Sequence, residues 1–129
     1  MHSGLQVQRM MAALFTATVL SIMANACIAV ADYVKAGFVL KNSAEVHVPV
    51  SALPYLATSK LAGAAGLVVG LTVEPRLGVA AGIGLILFFI GAVIAHIRSR
   101  VFYNIAFPSL YLLLAAASAA YMIHLSAVS

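Results

Sequence analysis

Charge is scarce in this chain. Of its 129 residues, seven are Lys or Arg and three are Asp or Glu, which is 8% of the total, whereas 64% are hydrophobic. Soluble globular domains carry about 25% charged residues, so this composition does not supply a water-facing surface. The hydrocarbon core of a bilayer accepts it, and the sequence therefore predicts an integral membrane protein.

Cysteine is nearly absent, and tryptophan is absent altogether. The one cysteine is Cys27. A single thiol forms no intramolecular disulfide, which excludes dithiol chemistry by this chain acting alone. We expect Cys27 to be a small buried residue. We also expect Ser21, Asn25 and Cys27 to face other helices, because polar groups are costly in contact with hydrocarbon.

The chain does contain four apolar segments, each near the ~20 residues that cross a ~30 Å hydrocarbon layer. We predict an all-α membrane protein, a four-transmembrane-helix antiparallel bundle that forms one domain over residues 1–129. The predicted helices span residues 10–40, 52–71, 75–99 and 105–128. A cleaved signal peptide is the alternative for the first segment. The apolar pattern continues past residue 26, which argues against cleavage.

The second and third segments form a hairpin around the turn TVEPRLG. Pro75 is predicted at the first position of the third helix, where its missing N–H costs nothing, and Ser51 is the predicted N-cap of the second. Glycine recurs along both arms at spacings that allow close helix packing. The predicted packing glycines are Gly63, Gly66, Gly70, Gly78, Gly82, Gly84 and Gly91.

The net charge is +4, and the basic residues flank the apolar segments. We therefore expect contact with anionic lipid headgroups and no nucleic-acid partner. Four spans place both termini on one side, together with Arg9 and Arg76. The other side carries Lys35, Lys41, Arg98 and Arg100. The positive-inside rule then predicts that the longer loops are cytoplasmic and that the termini are outside.

Two charged residues, Asp32 and Lys60, lie inside the predicted spans. They are about equally far from the middle of the first loop, so we expect them at similar depth and ion-paired. Lys35, His47 and His96 are predicted at the same end, and the five residues together are predicted to surround a polar pocket. A structural ion pair is the leading interpretation. A ligand or lipid-headgroup site and a proton relay are the alternatives.

No catalytic arrangement is recognisable in the sequence. The three acids are Asp32, Glu45 and Glu74, and Glu74 is predicted at the far end. Enzyme mechanisms that need two cooperating carboxylates therefore have poor support. The histidines show no metal-ligand spacing. We therefore expect no catalytic residue set and no metal site, and lean against an enzyme.

A family resemblance covers about residues 31–114. It is carried by the stretches ADYVKAGFVL, NSAEVHVP, LATSKLAGAAGLVVGL, VEPRLG, AAGIGLILFFIGAVIAHIR and the FP…YLLLA of the last segment. These stretches resemble the DoxX-like family of small four-helix membrane proteins. ADYVKAGFVL followed by NSAEVHVP resembles the first-helix exit of actinobacterial members. The resemblance implies a four-helix membrane bundle. The family takes its name from a quinone-linked thiosulfate oxidation system, and its relatives are associated with redox partners or with membrane-protein assembly. No catalytic residues carry over, but Lys60, the ADYVK stretch and the AHIR stretch match as candidate sites.

Three functions follow from these observations. The first is a non-catalytic accessory or scaffold subunit of a redox or cell-envelope complex in the bacterial plasma membrane, which packs against another membrane protein or a second copy of itself. The alternative is an oxidoreductase component that binds quinone or lipid near Lys60. The third is a small transporter that uses Asp32, which a nearby lysine would neutralise.

Overall fold

The computed structural model describes the backbone of residues 2–128 and the side chains of residues 3–128. These residues form five α-helices and one 3-10 turn, Val50–Ala52, and contain no strand. The helices are α1 (His2–Tyr33), α2 (Gly37–Glu45), α3 (Leu53–Thr72), α4 (Pro75–Arg98) and α5 (Ala106–Val128). All except α2 are long and apolar enough to span a membrane, which confirms the predicted all-α four-span architecture.

The four long helices form a ring in the order α1, α3, α4, α5, and each runs antiparallel to its neighbours. The ring is closed between α1 and α5, where the Tyr111 hydroxyl donates to the Ala24 carbonyl at 3.2 Å. We call the end formed by residues 34–52 and 96–105 the loop end. The opposite end, formed by the chain termini and the turn at residues 73–74, is the terminal end.

The first helix differs from its prediction at both boundaries. It begins at His2 and ends at Tyr33, not at residue 40. A Schellman motif ends it: the amides of Lys35 and Ala36 donate to the carbonyls of Asp32 and Ala31, and Lys35 adopts a left-handed φ of 53°. Glycine usually occupies that position, so the sequence carried no stop signal here.

The predicted loop over residues 41–50 is partly helical, which is a second correction. Helix α2 lies at the loop end with Val39 and Ser43 buried, and Val46, which follows its last residue, is buried as well. Ser51 is not the N-cap of α3, because the chain enters α3 through the 3-10 turn and the cap is Ala52, without a side-chain hydrogen bond. Pro75 begins α4 as predicted.

Small residues set the distances between helices. A Cβ atom on Gly70 would lie 2.5 Å from the Gly78 Cα, and one on Gly82 would lie 2.9 Å from the Ala119 Cα. Such approaches suit membrane helices, which lack a hydrophobic drive to associate and depend on contact area. Met122 fills the junction of α3, α4 and α5, and is fully buried.

Gly63 and Gly66 also lie at the α3–α4 contact, against Leu85 and Ala81. Gly84 and Gly91 do not pack against other helices of the bundle, contrary to the prediction. A Cβ on either would meet nothing within 4 Å, because both lie on the face of α4 turned away from the other helices.

The polar residues of α1 divide between its two faces. Ser21 and Asn25 are fully buried against the other helices, as predicted. Cys27 is exposed on the outer face, so the expectation that it is buried was wrong. Two positions along a helix rotate a side chain by about 200°, which places Cys27 away from Asn25.

Replacing Gly78 with Leu should lower the free energy of unfolding by ~1–3 kcal/mol, because the added atoms overpack the α3–α4 contact. Gly84→Leu is the matched control, since its side chain enters open space. Unfolding in a neutral detergent, followed by circular dichroism, measures the difference. A Gly78→Leu bundle as stable as the Gly84→Leu bundle would contradict the close contact between α3 and α4.

Candidate functional site

An ion pair lies inside the span. The Lys60 Nζ is 2.7 Å from the Asp32 Oδ2, and the two side chains are 11% and 3% exposed. Asp32 belongs to the last turn of α1, and Lys60 lies two turns into α3, ~10 Å from its start. The expected ion pair is thus present, and it joins α1 to α3.

An aromatic ring lies on another side of the ammonium group. The Lys60 Nζ is 5.4 Å from the centroid of the Phe88 ring on α4, within the range of a cation–π interaction. Close by, the Tyr33 hydroxyl is 2.6 Å from the Thr58 Oγ1, a second polar contact between α1 and α3. Lys60 of α3 is therefore paired with a carboxylate of α1 and lies beside an aromatic ring of α4.

The other three predicted site residues also lie at the loop end, but not on this pair. Lys35 is exposed in the turn after α1. The His47 Nδ1 is 2.9 Å from the Ser99 Oγ. Within residues 3–128, no side-chain hydrogen bond or ion pair joins Lys35, His47 or His96 to Asp32 or Lys60.

His96 is 4% exposed, and its Nδ1 lies 2.8 Å from the Ala92 carbonyl. A carbonyl only accepts, so Nδ1 carries the proton, and in the neutral ring Nε2 is an acceptor. Nε2 has no partner among the described residues. Because Gly70 faces Gly78 across the hairpin, His96 lies level with the start of α3, ~12 Å along the bundle from Lys60. In the neutral ring, the His96 Nε2 is therefore able to accept a hydrogen bond from water or from a hydroxyl group.

Sequence reasoning missed the contacts between α2 and the turn that precedes α5. The Asn104 amide donates to the Asn42 Oδ1 at 3.0 Å, and the Tyr103 hydroxyl donates to the Glu45 Oε1 at 2.5 Å. The His47–Ser99 hydrogen bond completes this set, which we call the α2 clasp. Its partners are 52 to 62 residues apart in sequence. Only the polar composition of two loops at one end hinted at it.

The clasp changes the acid–base behaviour of Tyr103. Its hydrogen bond to Glu45 raises the pKa of the Tyr103 hydroxyl above the usual value, and desolvation and the Glu45 charge act in the same direction. A raised pKa means that the contribution to stability is complete below the unfolded value of ~10 and is lost as pH rises through the folded value. Tyr103 therefore keeps the proton that it donates to Glu45 at neutral pH.

A carboxylate also caps the turn at the terminal end. Glu74 accepts hydrogen bonds from the Arg76 amide at 3.2 Å and from its guanidinium at 3.1 Å, and these bonds lower the pKa of the Glu74 carboxyl. A cavity of about 490 Å³ opens beside it, lined by residues 73–76 and Ser126. It lies at the opposite end of the bundle from Lys60.

Four antiparallel membrane-spanning helices, with an intramembrane lysine paired to an aspartate, define a small four-helix integral membrane protein. A family model described as the DoxX-like family matches residues 16–118. The chain therefore belongs to the DoxX-like family. Searches of curated proteins and of solved structures found no match.

Removing one charge of the Asp32–Lys60 pair should destabilise the protein more than removing both. Asp32→Asn or Lys60→Met alone leaves a buried charge without its partner, and each should cost ~3–5 kcal/mol of unfolding free energy. The double variant should recover most of that loss, because no buried charge remains. Detergent-based unfolding of all four proteins tests this. A double variant whose loss equals the sum of the two single losses would show that the residues do not act as a pair.

The Tyr103–Glu45 contact has its own test. Alkaline titration, followed by phenolate absorbance as the difference between wild type and Tyr103→Phe, should show Tyr103 ionising above the usual value of ~10. Glu45→Gln should bring the midpoint down, since it removes the carboxylate that opposes ionisation. A midpoint that Glu45→Gln leaves unchanged would mean that the Tyr103–Glu45 hydrogen bond does not form in solution.

Proposed function

We propose that this DoxX-like protein is a non-catalytic accessory or scaffold subunit of a membrane complex of redox or cell-envelope type. The observation that carries the proposal is the outer stripe of α4. Its members are Leu77, Ala80, Gly84, Leu87, Gly91, Ile94 and Arg98, all exposed and spaced alternately by three and four residues. This spacing is that of a helix face that packs along a second helix.

The glycines of this stripe are informative because of where they lie. Gly84 and Gly91 are two turns apart with open space beside them, and Ala80 precedes Gly84 by four residues. A glycine that faces lipid forgoes the contact of a larger side chain, whereas one that faces another helix permits close approach. The stripe therefore suits a transmembrane helix of a partner, and it repeats on the outside the packing chemistry of Gly70 and Gly78 inside.

The second candidate function is a redox component that binds quinone or lipid. Lys60 favours it, because an ammonium group between Asp32 and the Phe88 ring is a hydrogen-bond donor within the hydrocarbon layer. The small transporter stays third. Asp32 lies in the last turn of α1 and is bound to Lys60, whereas a transport carboxylate must exchange partners.

We further propose the bacterial plasma membrane as the location, with the termini outside. Four cations are exposed at the loop end, Lys35, Lys41, Arg98 and Arg100, against Arg9 and Arg76 at the terminal end. Arg76 is moreover paired with Glu74. The excess of positive charge supports a cytoplasmic loop end.

The stripe can be tested by co-purification. A tagged chain, expressed at native level and extracted in mild detergent, should bring down a membrane protein in constant ratio. Gly84→Leu/Gly91→Leu should reduce its recovery about tenfold, which corresponds to ~1.4 kcal/mol. Ala62→Leu/Ala65→Leu is the matched control, because both positions are exposed on α3. The control should keep the partner.

The other outcomes separate the candidates. A clean homo-oligomer with no partner, unchanged by Gly84→Leu/Gly91→Leu, would contradict the accessory role. A partner-free bundle that retains a bound quinone or lipid, and loses it in the Asp32→Asn/Lys60→Met variant, would favour the second candidate.

A further inference from the structure

Three helices end at the loop end, and in each case the second residue after the helix lies in the left-handed region. Lys35 (φ 53°) follows α1, His47 (φ 63°) follows α2, and Arg100 (φ 55°) follows α4. Each is the C′ residue of a Schellman motif; at Arg100, for example, the amides of residues 100 and 101 donate to the carbonyls of Ile97 and His96. No glycine of residues 2–128 has a positive φ.

Glycine is the usual residue at such a position, because a side chain there brings Cβ against the carbonyl oxygen. At all three of these strained positions, which lie at the same end of the bundle, the residue has a basic side chain. A residue kept in an unfavourable conformation indicates a role for its side chain. His47 uses its ring in the α2 clasp, through Ser99. Lys35 and Arg100 are exposed and need another explanation.

The charges around them are not neutralised within the chain. Only two ion pairs exist among residues 3–128, Asp32–Lys60 and Glu74–Arg76. The loop end has one further carboxylate, Glu45, and it binds the Tyr103 hydroxyl. Lys35, Lys41, Arg98 and Arg100 therefore have no carboxylate within 4 Å. These four exposed cations outnumber the one negative charge of Glu45, so the loop end is positive overall.

The same surface carries exposed aromatic residues. Phe38, Phe102 and Tyr103 are 64%, 57% and 68% exposed. The clasp holds α2 beside the turn, so that the Lys41 Nζ is 6.0 Å from the centroid of the Tyr103 ring. Aromatic rings beside cations at the ends of membrane helices are typical of the headgroup level.

We propose that the loop end is a binding surface for anionic phospholipid headgroups, and that Lys35 and Arg100 replace glycine at these turns because they contact lipid phosphate. Arg offers a planar fork that matches phosphate oxygens, and Lys offers a mobile point charge. The clasp places α2 and the turn side by side, so that headgroups meet the cations of both. This inference is independent of the proposed scaffold role.

Native mass spectrometry of the full chain in neutral detergent tests the proposal. Phosphatidylglycerol and phosphatidylcholine with the same acyl chains are the two probes. The wild-type protein should bind phosphatidylglycerol more tightly, and added salt should weaken that preference. Lys35→Gly/Arg100→Gly should weaken phosphatidylglycerol binding about fivefold for each cation removed, which corresponds to ~1 kcal/mol per basic residue. Arg9→Gln/Arg76→Gln removes two charges at the terminal end and should change it little.

A stability measurement separates lipid binding from the ordinary attraction of cations to helix C-termini. If Lys35 and Arg100 are retained for lipid, glycine should raise the midpoint of thermal unfolding in neutral detergent, because it relieves the left-handed backbone. A lower midpoint with unchanged phosphatidylglycerol binding would show that the cations serve the helix dipole, and would overturn the proposal.

A second variant guards against effects of the backbone itself. Lys35→Gln/Arg100→Gln keeps a long side chain in the left-handed position and removes only charge, so it should lose phosphatidylglycerol binding as the glycine variant does. Equal binding of both lipids by the wild type, or equal losses in the loop-end and terminal-end variants, would also overturn the proposal.

Discussion

The contact between Lys60 and Asp32 sets the register of the first helix against the rest of the bundle. Hydrocarbon offers no hydrogen bonds, so an ammonium group two turns inside α3 requires a carboxylate at its own depth. Asp32 provides it at 2.7 Å, and Tyr33 reaches Thr58 about half a turn nearer the loop end. Because α1 stops immediately afterwards, the chain has the length to form α2, which covers the loop end.

The same solvent explains why small residues dominate the contacts between helices. Lipid tails are as apolar as leucine, so association depends on how closely backbones approach. Inside the bundle Gly70 meets Gly78, and Gly82 meets Ala119. Gly84 lies on the opposite face of α4, where the same chemistry is unused by this chain. That contrast between an occupied and an open face underlies the proposed scaffold role.

The two ends of the bundle differ in character. At the terminal end a two-residue turn is capped by Glu74, and its neighbour Arg76 is paired. At the loop end a helix, a turn and a set of side-chain hydrogen bonds hold unpaired cations in place. The four exposed cations outnumber Glu45, the one carboxylate there that is not paired with a cation, so the surface is positive overall. The asymmetry accounts for the proposed orientation and for the proposed lipid surface.

Four spans, the charged pair and the start of α4 at Pro75 follow from the order of the residues alone. The spans can be predicted because hydropathy is a sum over neighbouring residues. The pair can be predicted because a lysine inside a span is expected to pair with an acid, and the start of α4 because proline acts on its own turn. The tertiary structure decided which glycines pack, where α1 ends and how α2 is held. The spans are apolar on every side, so their composition gives no rotation about the helix axis. The left-handed turn at Lys35 and the clasp between Asn42 and Asn104 depend on groups brought together only by folding.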